Sequence, residues 1–141
     1  MKLYYSPGAC SLSPHIVALE ADLPLQLEKT DIAKKTTASG EDFLKVNPKG
    51  YVPALKLDDG SVLTEGPAIV QFLADKAPAS KLIPAAGTLE RYRVLEWLNF
   101  ISTELHKSFS PLFNPATSAE RRQEVVAYLA KRFATVEQQL A

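Results

Sequence analysis

A change of pattern at residues 77–87 constrains the fold of this chain more than any single motif. Before it, short strand-like runs alternate with helix-like runs, whereas after it the apolar residues recur only at helical spacing. Pro78 and Pro84 lie within the change itself, which is typical of a linker. The pattern predicts an α/β unit over residues 1–78, a linker over 79–86 and a helical unit over 87–141.

The first unit is predicted to run strand, helix, strand, short helix, hairpin and final helix. The predicted segments are strand 2–5, helix 11–21, strand 25–30, helix 41–46, strands 54–57 and 61–63, and helix 65–76. Asp58-Asp59-Gly60 between the paired strands is the strongest hairpin signal in the chain. Residues 34–40 are polar and are predicted as a loop, and Thr64 is predicted to cap the final helix.

The second unit is predicted to hold two amphipathic helices. The first follows Thr88, and apolar residues recur along it at steps of three and four as far as Phe109. The second is predicted to start with a capping box formed by Thr117 and Glu120. Two helices cannot cover both of their apolar faces alone, so we expect them to pack on the first unit or on another chain.

Charge and cysteine content exclude several classes of protein. The 141 residues carry 16 basic and 16 acidic side chains, so no overall field favours nucleic acid or an anionic membrane as a partner. No early apolar run is long enough for a signal peptide or a membrane span. The single cysteine cannot form an internal disulfide, which suits a reducing compartment. The sequence therefore predicts a soluble, cytoplasmic protein.

That cysteine, Cys10, lies where the first strand is predicted to turn into the first helix. Unpaired N–H groups and the positive dipole end at a helix N-terminus stabilise a thiolate and lower its pKa from about 8.5. A lone cysteine is otherwise a small, inert apolar residue. Position alone leaves both possibilities open with about equal weight.

Three other segments carry groups suited to binding, each beside a simpler explanation. If the Val52-Pro53 bond is cis, the Val52 backbone is open to an extended peptide, although a trans proline at an edge strand is commoner. The Gly66 N–H is placed to bind a carboxylate and Glu65 an amine, although Thr64-Glu65 also suits plain helix capping. Asn99, Thr103 and His106 share one helix face, and such polar faces commonly meet solvent.

Together these segments resemble the N-terminal, thioredoxin-like domain of glutathione transferases. Pro-Gly-Ala-Cys-Ser around Cys10, with Asn47-Pro48-Lys49-Gly50 and Thr64-Glu65-Gly66, is most similar to the bacterial beta class, and residues 96–99 and 104–107 match it too. The resemblance implies a βαβ-α-ββα domain with a mixed four-stranded sheet, followed by an incomplete all-α domain. Members of the family are longer, so it also implies a chain truncated at its C-terminus.

The resemblance implies roles residue by residue. The implied catalytic residues are Cys10, Ser11 and His106, all near the glutathione sulfur. Val52 with Pro53 would bind the cysteinyl backbone, Glu65 with Gly66 the γ-glutamyl end, and Lys35 the glycyl carboxylate. Further contacts, some from a partner subunit, would come from Asn99, Ser102, Thr103, Glu104 and Leu105. No metal is implied, and glutathione is a co-substrate rather than a resident cofactor.

The implied function is conjugation of reduced glutathione to small hydrophobic electrophiles, a detoxification reaction carried out by a cytoplasmic homodimer. Two alternatives stay open at the level of sequence. Cys10 beside the bound sulfur would also suit thiol–disulfide exchange with glutathione. The fold could instead serve as a non-catalytic binding module, or the chain could be an inactive fragment.

Overall fold

A mixed five-stranded sheet organises the first of two units in the computed structural model, which describes all residues from Met1 to Ala141. This unit covers Met1–Thr88 and the second covers Leu89–Ala141. The strands of the sheet are β1 (Lys2–Tyr5), β2 (Gln26–Asp31), β3 (Thr36–Thr37), β4 (Ala54–Lys56) and β5 (Val62–Thr64). The helices of the first unit are α1 (Leu12–Glu20), α2 (Phe43–Val46) and α3 (Gly66–Lys76), with a 3₁₀ turn at Pro78–Ser80.

The strand order is β3-β2-β1-β4-β5, with β1 parallel to β2 and every other pair antiparallel. This confirms the predicted thioredoxin-like α/β class with a mixed sheet. The number of strands differs, because the predicted loop 34–40 contains β3, which pairs with Thr30 and Asp31. A two-residue strand is too short to show an alternating pattern in the sequence.

Both faces of the sheet are buried, and neighbouring residues of one strand serve opposite faces. Leu3 and Leu55 join one apolar cluster with side chains of α1 and α3. Tyr4 and Ala54 join a second cluster with Phe43 of α2 and Val52. Val52, which lies in the loop before β4, is thereby held in place by the second apolar cluster.

The start of α3 differs from the prediction. Thr64 belongs to β5, and Glu65 is the residue before the helix, with a left-handed φ of 72° and no side-chain cap. The Thr64 hydroxyl instead accepts a hydrogen bond from Lys49. Strand pairing with Ala54 fixes Thr64 in extended backbone and leaves the turn to Glu65.

The second unit begins with α4 (Leu89–Phe100), but the predicted long helix does not stay α-helical. A π-helical segment (Ile101–His106), a 3₁₀ turn (Lys107–Phe109) and the short α5 (Ser110–Phe113) follow without a break. The long α6 (Ala119–Leu140) is capped by Ser118, whose side chain accepts from the Arg121 N–H, and not by the predicted Thr117. Leu105, Val125 and Leu129 form the buried core of this unit.

None of the helices combines the length and apolar character needed to cross a membrane.

Candidate functional site

The loop between β1 and α1 is built around Ser11. This residue is fully buried; its hydroxyl accepts from the Ser6 N–H at 3.1 Å and donates to the Ser6 carbonyl at 3.2 Å. Both hydrogen bonds close the loop 6–11 and fix the start of α1. The structure thus places this predicted catalytic hydroxyl inside the loop, where it supports the neighbouring Cys10.

Cys10 is exposed, and its Sγ donates a weak hydrogen bond to the Val52 carbonyl oxygen at 3.3 Å. Partial burial of the sulfur raises the pKa of the Cys10 thiol, and the negative charge of Glu65 raises it further, while a local backbone hydrogen bond lowers it. Of the two possibilities that the position of Cys10 left open, the contacts of the sulfur favour a raised pKa. Desolvation of the sulfur disfavours the charged thiolate, and the Glu65 carboxylate repels its negative charge. Together they outweigh the stabilisation that the helix N-terminus offers.

The Val52-Pro53 peptide bond is cis, the rarer of the two forms that the sequence left open. Val52 and Pro53 are both buried, and β4 begins at the next residue. A Cβ added to Gly66 would lie 3.9 Å from Pro53 Cγ, so the proline ring adjoins the first residue of α3. The predicted peptide-binding segment and the predicted carboxylate-binding N–H are therefore neighbours.

Asn47 holds the turn that leads to this proline. It is buried, its Nδ2 donates to the Tyr51 carbonyl at 2.7 Å, and its Oδ1 accepts from the Lys49 N–H at 3.2 Å. Gly50 has a left-handed φ of 67°, and a Cβ there would lie 3.2 Å from Lys35 Nζ. The Asn-Pro-Lys-Gly motif is thus a turn that requires its asparagine and glycine.

Lys35 is drawn into the site instead of lying in a solvated loop. Its Nζ donates to the Gly50 carbonyl at 2.9 Å and lies 5.6 Å from the centre of the Tyr51 ring. The side chain is half-buried, whereas that of its neighbour Lys34 is exposed. Lys35 therefore brings a positive charge to the middle of the segment 47–53.

Glu65 contacts the same segment through Lys49. Its carboxylate forms an ion pair with Lys49, with Nζ and Oε1 2.7 Å apart. Gly66, the next residue, begins α3, and the first N–H groups of a helix have no partner within it. The site thus presents a carboxylate and a backbone donor side by side.

Segment 47–53 connects the predicted site residues of the first unit. Cys10 contacts it at Val52, Lys35 at Gly50, and Glu65 through Lys49. The sequence alone predicts no role for Asn47 or Lys49, although both lie in the Asn-Pro-Lys-Gly motif. An asparagine before proline, followed by a glycine, was the available signal of a built turn.

The predicted residues of the second unit lie in α4 and the π-helical segment. Thr103 donates to the Asn99 carbonyl at 3.0 Å, and Leu105 packs in the core, 8% exposed. His106 is exposed, and Ser102 is half-buried. A π-helix takes more residues per turn than an α-helix, so the α-helical spacing that grouped His106 with Asn99 and Thr103 does not apply over residues 101–106.

Glu104 is held by α6. Its carboxylate accepts a short hydrogen bond from the Tyr128 hydroxyl, and Arg132 Nε lies 3.0 Å from it without hydrogen-bond alignment. Arg132 also stacks 4.5 Å from the centre of the Tyr128 ring. A cavity of about 460 Å³ lies beside this cluster, within the second unit. It is lined by Thr103, Lys107, Ser108, Pro111, Arg121, Glu124, Val125 and Tyr128.

Comparison with known proteins identifies the family. A family model described as "Glutathione S-transferase, N-terminal domain" matches residues 8–76. The chain is 49% identical over 140 residues to glutathione S-transferase GstA of Escherichia coli O157:H7, covering 99% of this chain and 70% of that protein. The chain belongs to the glutathione S-transferase family. The resemblance drawn from the motifs is therefore confirmed. Close relatives of the chain are transferase enzymes.

Solved structures place it among the beta-class members of the glutathione S-transferase family. A ternary complex of BphK, a bacterial glutathione transferase, matches with a TM-score of 0.96 and 62% identity, over 99% of this chain and 70% of that one. A sphingomonad glutathione S-transferase complexed with glutathione matches with a TM-score of 0.96 and 50% identity, over 99% of this chain and 70% of that one. The bacterial beta-class glutathione S-transferase of Sphingomonas chungbukensis matches with a TM-score of 0.94 and 45% identity, over 99% of this chain and 70% of that one.

Proposed function

We propose that the first unit binds reduced glutathione and that the protein conjugates it to small hydrophobic electrophiles. The observation that carries the proposal is the convergence of Cys10, Lys35 and the Glu65-Gly66 pair on segment 47–53. The sphingomonad relative, which has a TM-score of 0.96 to this chain, was solved with glutathione bound.

Each end of glutathione has a complementary group in this arrangement. The γ-glutamyl end carries an amine and a carboxylate, which suit the Glu65 carboxylate and the Gly66 N–H. The Val52 backbone suits the amides of the cysteinyl residue, as an added strand would use it. The Lys35 ammonium suits the glycyl carboxylate, since it already lies beside the segment at Gly50.

Cys10 acts in this proposal as a hydrogen-bond donor to the glutathione sulfur. Its raised pKa keeps the thiol protonated at neutral pH, so it has a proton to donate. Moving that donor from the Val52 carbonyl to the ligand sulfur stabilises the glutathione thiolate. The glutathione thiol gives its proton to water, and the thiolate then attacks the electrophilic carbon. The carbon–sulfur bond forms as a leaving group such as chloride departs with the electron pair of its bond to carbon, or as an activated double bond passes its electron pair to the neighbouring carbon, which takes a proton from water.

The raised pKa also weakens the case for disulfide exchange through Cys10. Exchange needs an attacking thiolate, and a protonated Cys10 supplies little of it at neutral pH. No comparable observation favours a non-catalytic module. Homodimer formation, a cytoplasmic location and a detoxification role belong to the proposal on the strength of the family resemblance.

For the second unit we propose the family roles residue by residue. His106 is the exposed candidate for the sulfur, and Asn99, Ser102, Thr103 and Glu104 are candidates for glutathione contacts. Leu105 can contribute only through its backbone, since its side chain is buried in the core. His106→Ala should lower the conjugation rate while leaving unfolding unchanged, as its side chain is exposed.

Binding is tested by calorimetric titration of reduced glutathione into the protein, followed by conjugation to a chlorodinitrobenzene. We expect saturable binding by the wild-type chain and a weakening of about tenfold in Lys35→Met, since a charge-assisted contact is lost. Lys34→Met is the matched control, because Lys34 is exposed and contacts only the loop residue Asp31. Absence of glutathione binding by the wild-type chain would contradict the proposal.

A further inference from the structure

Lys49 forms an ion pair with the Glu65 carboxylate, the group that the proposed function uses to bind the amine of the ligand. Its Nζ lies 2.7 Å from Glu65 Oε1 and 3.0 Å from the Thr64 hydroxyl oxygen. Both contacts join residues that are 15 and 16 positions apart in the chain, so they are tertiary contacts and not local helix pairing. The ammonium is thereby held directly before the first turn of α3.

The Glu65 carboxylate is carried on a backbone that is held in one position, so Lys49 and a ligand amine meet it in the same region. Strand β5 ends at Thr64 and α3 begins at Gly66, so the backbone of Glu65 is fixed between two regular elements, with φ 72°. Its side chain projects from this one position. Any amine that binds Glu65 at the start of α3 therefore approaches the space where the Lys49 ammonium lies.

The Lys49–Glu65 ion pair is also exposed enough for another ammonium group to replace that of Lys49. The side chains of Lys49 and Glu65 are 54% and 67% exposed. Exposed ion pairs are screened by water and are weak, so a second ammonium held by further contacts can replace the first. The α-amino group of a γ-glutamyl peptide is such an ammonium, since its carboxylate and amides would be bound at the same time.

We propose that Lys49 is a positioning residue that holds the Glu65 carboxylate in the unliganded protein and competes for it with the amino group of glutathione. This inference rests on the proposed function and adds an element to it: an internal cation that ligand binding displaces. Lys49 orients Glu65 toward the start of α3 and, by occupying it, lowers the apparent affinity. The site would then favour peptides whose remaining groups are bound well enough to displace Lys49.

The test is calorimetric titration of reduced glutathione into the wild-type chain, Lys49→Met and Lys45→Met. Lys45 is the matched control, an exposed lysine of α2 outside the binding machinery. We expect Lys49→Met to bind about two- to fivefold more tightly, because no internal ammonium is displaced, and Lys45→Met to bind as the wild type does. Both substitutions are at exposed positions, and circular dichroism checks that each variant folds.

A second arm removes the competed group. In a Glu65→Gln background, the further change Lys49→Met should leave the affinity unchanged, since there is no carboxylate to compete for. Unchanged or weaker binding by the single variant Lys49→Met would overturn the proposal, and weaker binding would mean that Lys49 contacts the ligand itself. If the wild-type chain binds no glutathione, the proposed function fails first and this inference fails with it.

Discussion

The Cys10 thiol lies between a helix start that favours its anion and a carboxylate that opposes it. Burial of the sulfur and the charge of Glu65 raise its pKa, and a backbone hydrogen bond only partly offsets them. We predict that the rate of Cys10 alkylation by iodoacetamide rises with pH to a midpoint above the ordinary cysteine value of about 8.5. Glu65→Gln should lower that midpoint, because one of the opposing charges is removed. A wild-type midpoint below the ordinary value would contradict this account.

The same shift has a consequence for stability. A thiol whose pKa is higher in the folded state stabilises the fold fully below its unfolded pKa, and this contribution is lost as pH rises through the folded pKa. The relevant window is therefore alkaline and starts near the ordinary cysteine value. Urea unfolding across that window should show a steeper loss of stability for the wild-type chain than for Cys10→Ser.

Ser11, which the family resemblance places beside the sulfur, also holds its own loop together. Its buried hydroxyl makes both hydrogen bonds to Ser6. We predict that Ser11→Ala destabilises the protein by about 1–3 kcal/mol, the cost of leaving buried backbone groups unpaired. Urea unfolding measures it, with the exposed Ser13→Ala as control. Equal stability of the two variants would show that the loop does not depend on Ser11.

At the level of elements, the start of α6 offers two candidate capping residues, Thr117 and Ser118. Thr117 with Glu120 matches the capping-box spacing, yet Ser118 supplies the cap through the Arg121 N–H at 3.2 Å. We predict that Ser118→Ala destabilises the protein by about 1 kcal/mol, whereas Thr117→Ala has a smaller effect. Thermal unfolding of the two variants decides between them, and a larger loss in Thr117→Ala would favour the capping box.

Much of the fold follows from local patterns, and the exceptions share a cause. Strand β1 and the Asp-Asp-Gly hairpin were predictable because alternation and turn chemistry are local signals. The strand β3, the residue before α3 and the π-helical segment 101–106 were not, because each is fixed by contacts distant in sequence or by a few residues only. Cys10, Val52 and Glu65 could be picked out by motif, but the raised pKa of Cys10 comes first from partial burial of its sulfur and then from a carboxylate 55 positions away, and both are set by the tertiary fold.

At the scale of the whole molecule, the second unit leaves large apolar side chains in contact with water. Phe113 and Leu140 are each 81% exposed, and Phe133 is 50% exposed. Exposed apolar surface of this kind favours association. We predict that this 141-residue chain self-associates with rising concentration in sedimentation experiments, and that Phe133→Ser with Leu140→Ser shifts it toward the monomer. Lys131→Gln, at another exposed position of α6, is the control, and an equal shift there would contradict the prediction.

The segment 47–53 makes three of its contacts through backbone carbonyl oxygens. Val52 accepts from Cys10, Gly50 from Lys35 and Tyr51 from Asn47. Every amino acid presents the same carbonyl, so the contacts at Tyr51 and Val52 do not use the side chain of the accepting residue, whereas position 50 still requires glycine because of its left-handed φ. Tyr51, whose side chain is largely exposed, can therefore be replaced in the course of evolution while the oxygen that Asn47 uses stays in place. Position 51 can therefore change while Asn47 and Gly50 keep the geometry of the turn.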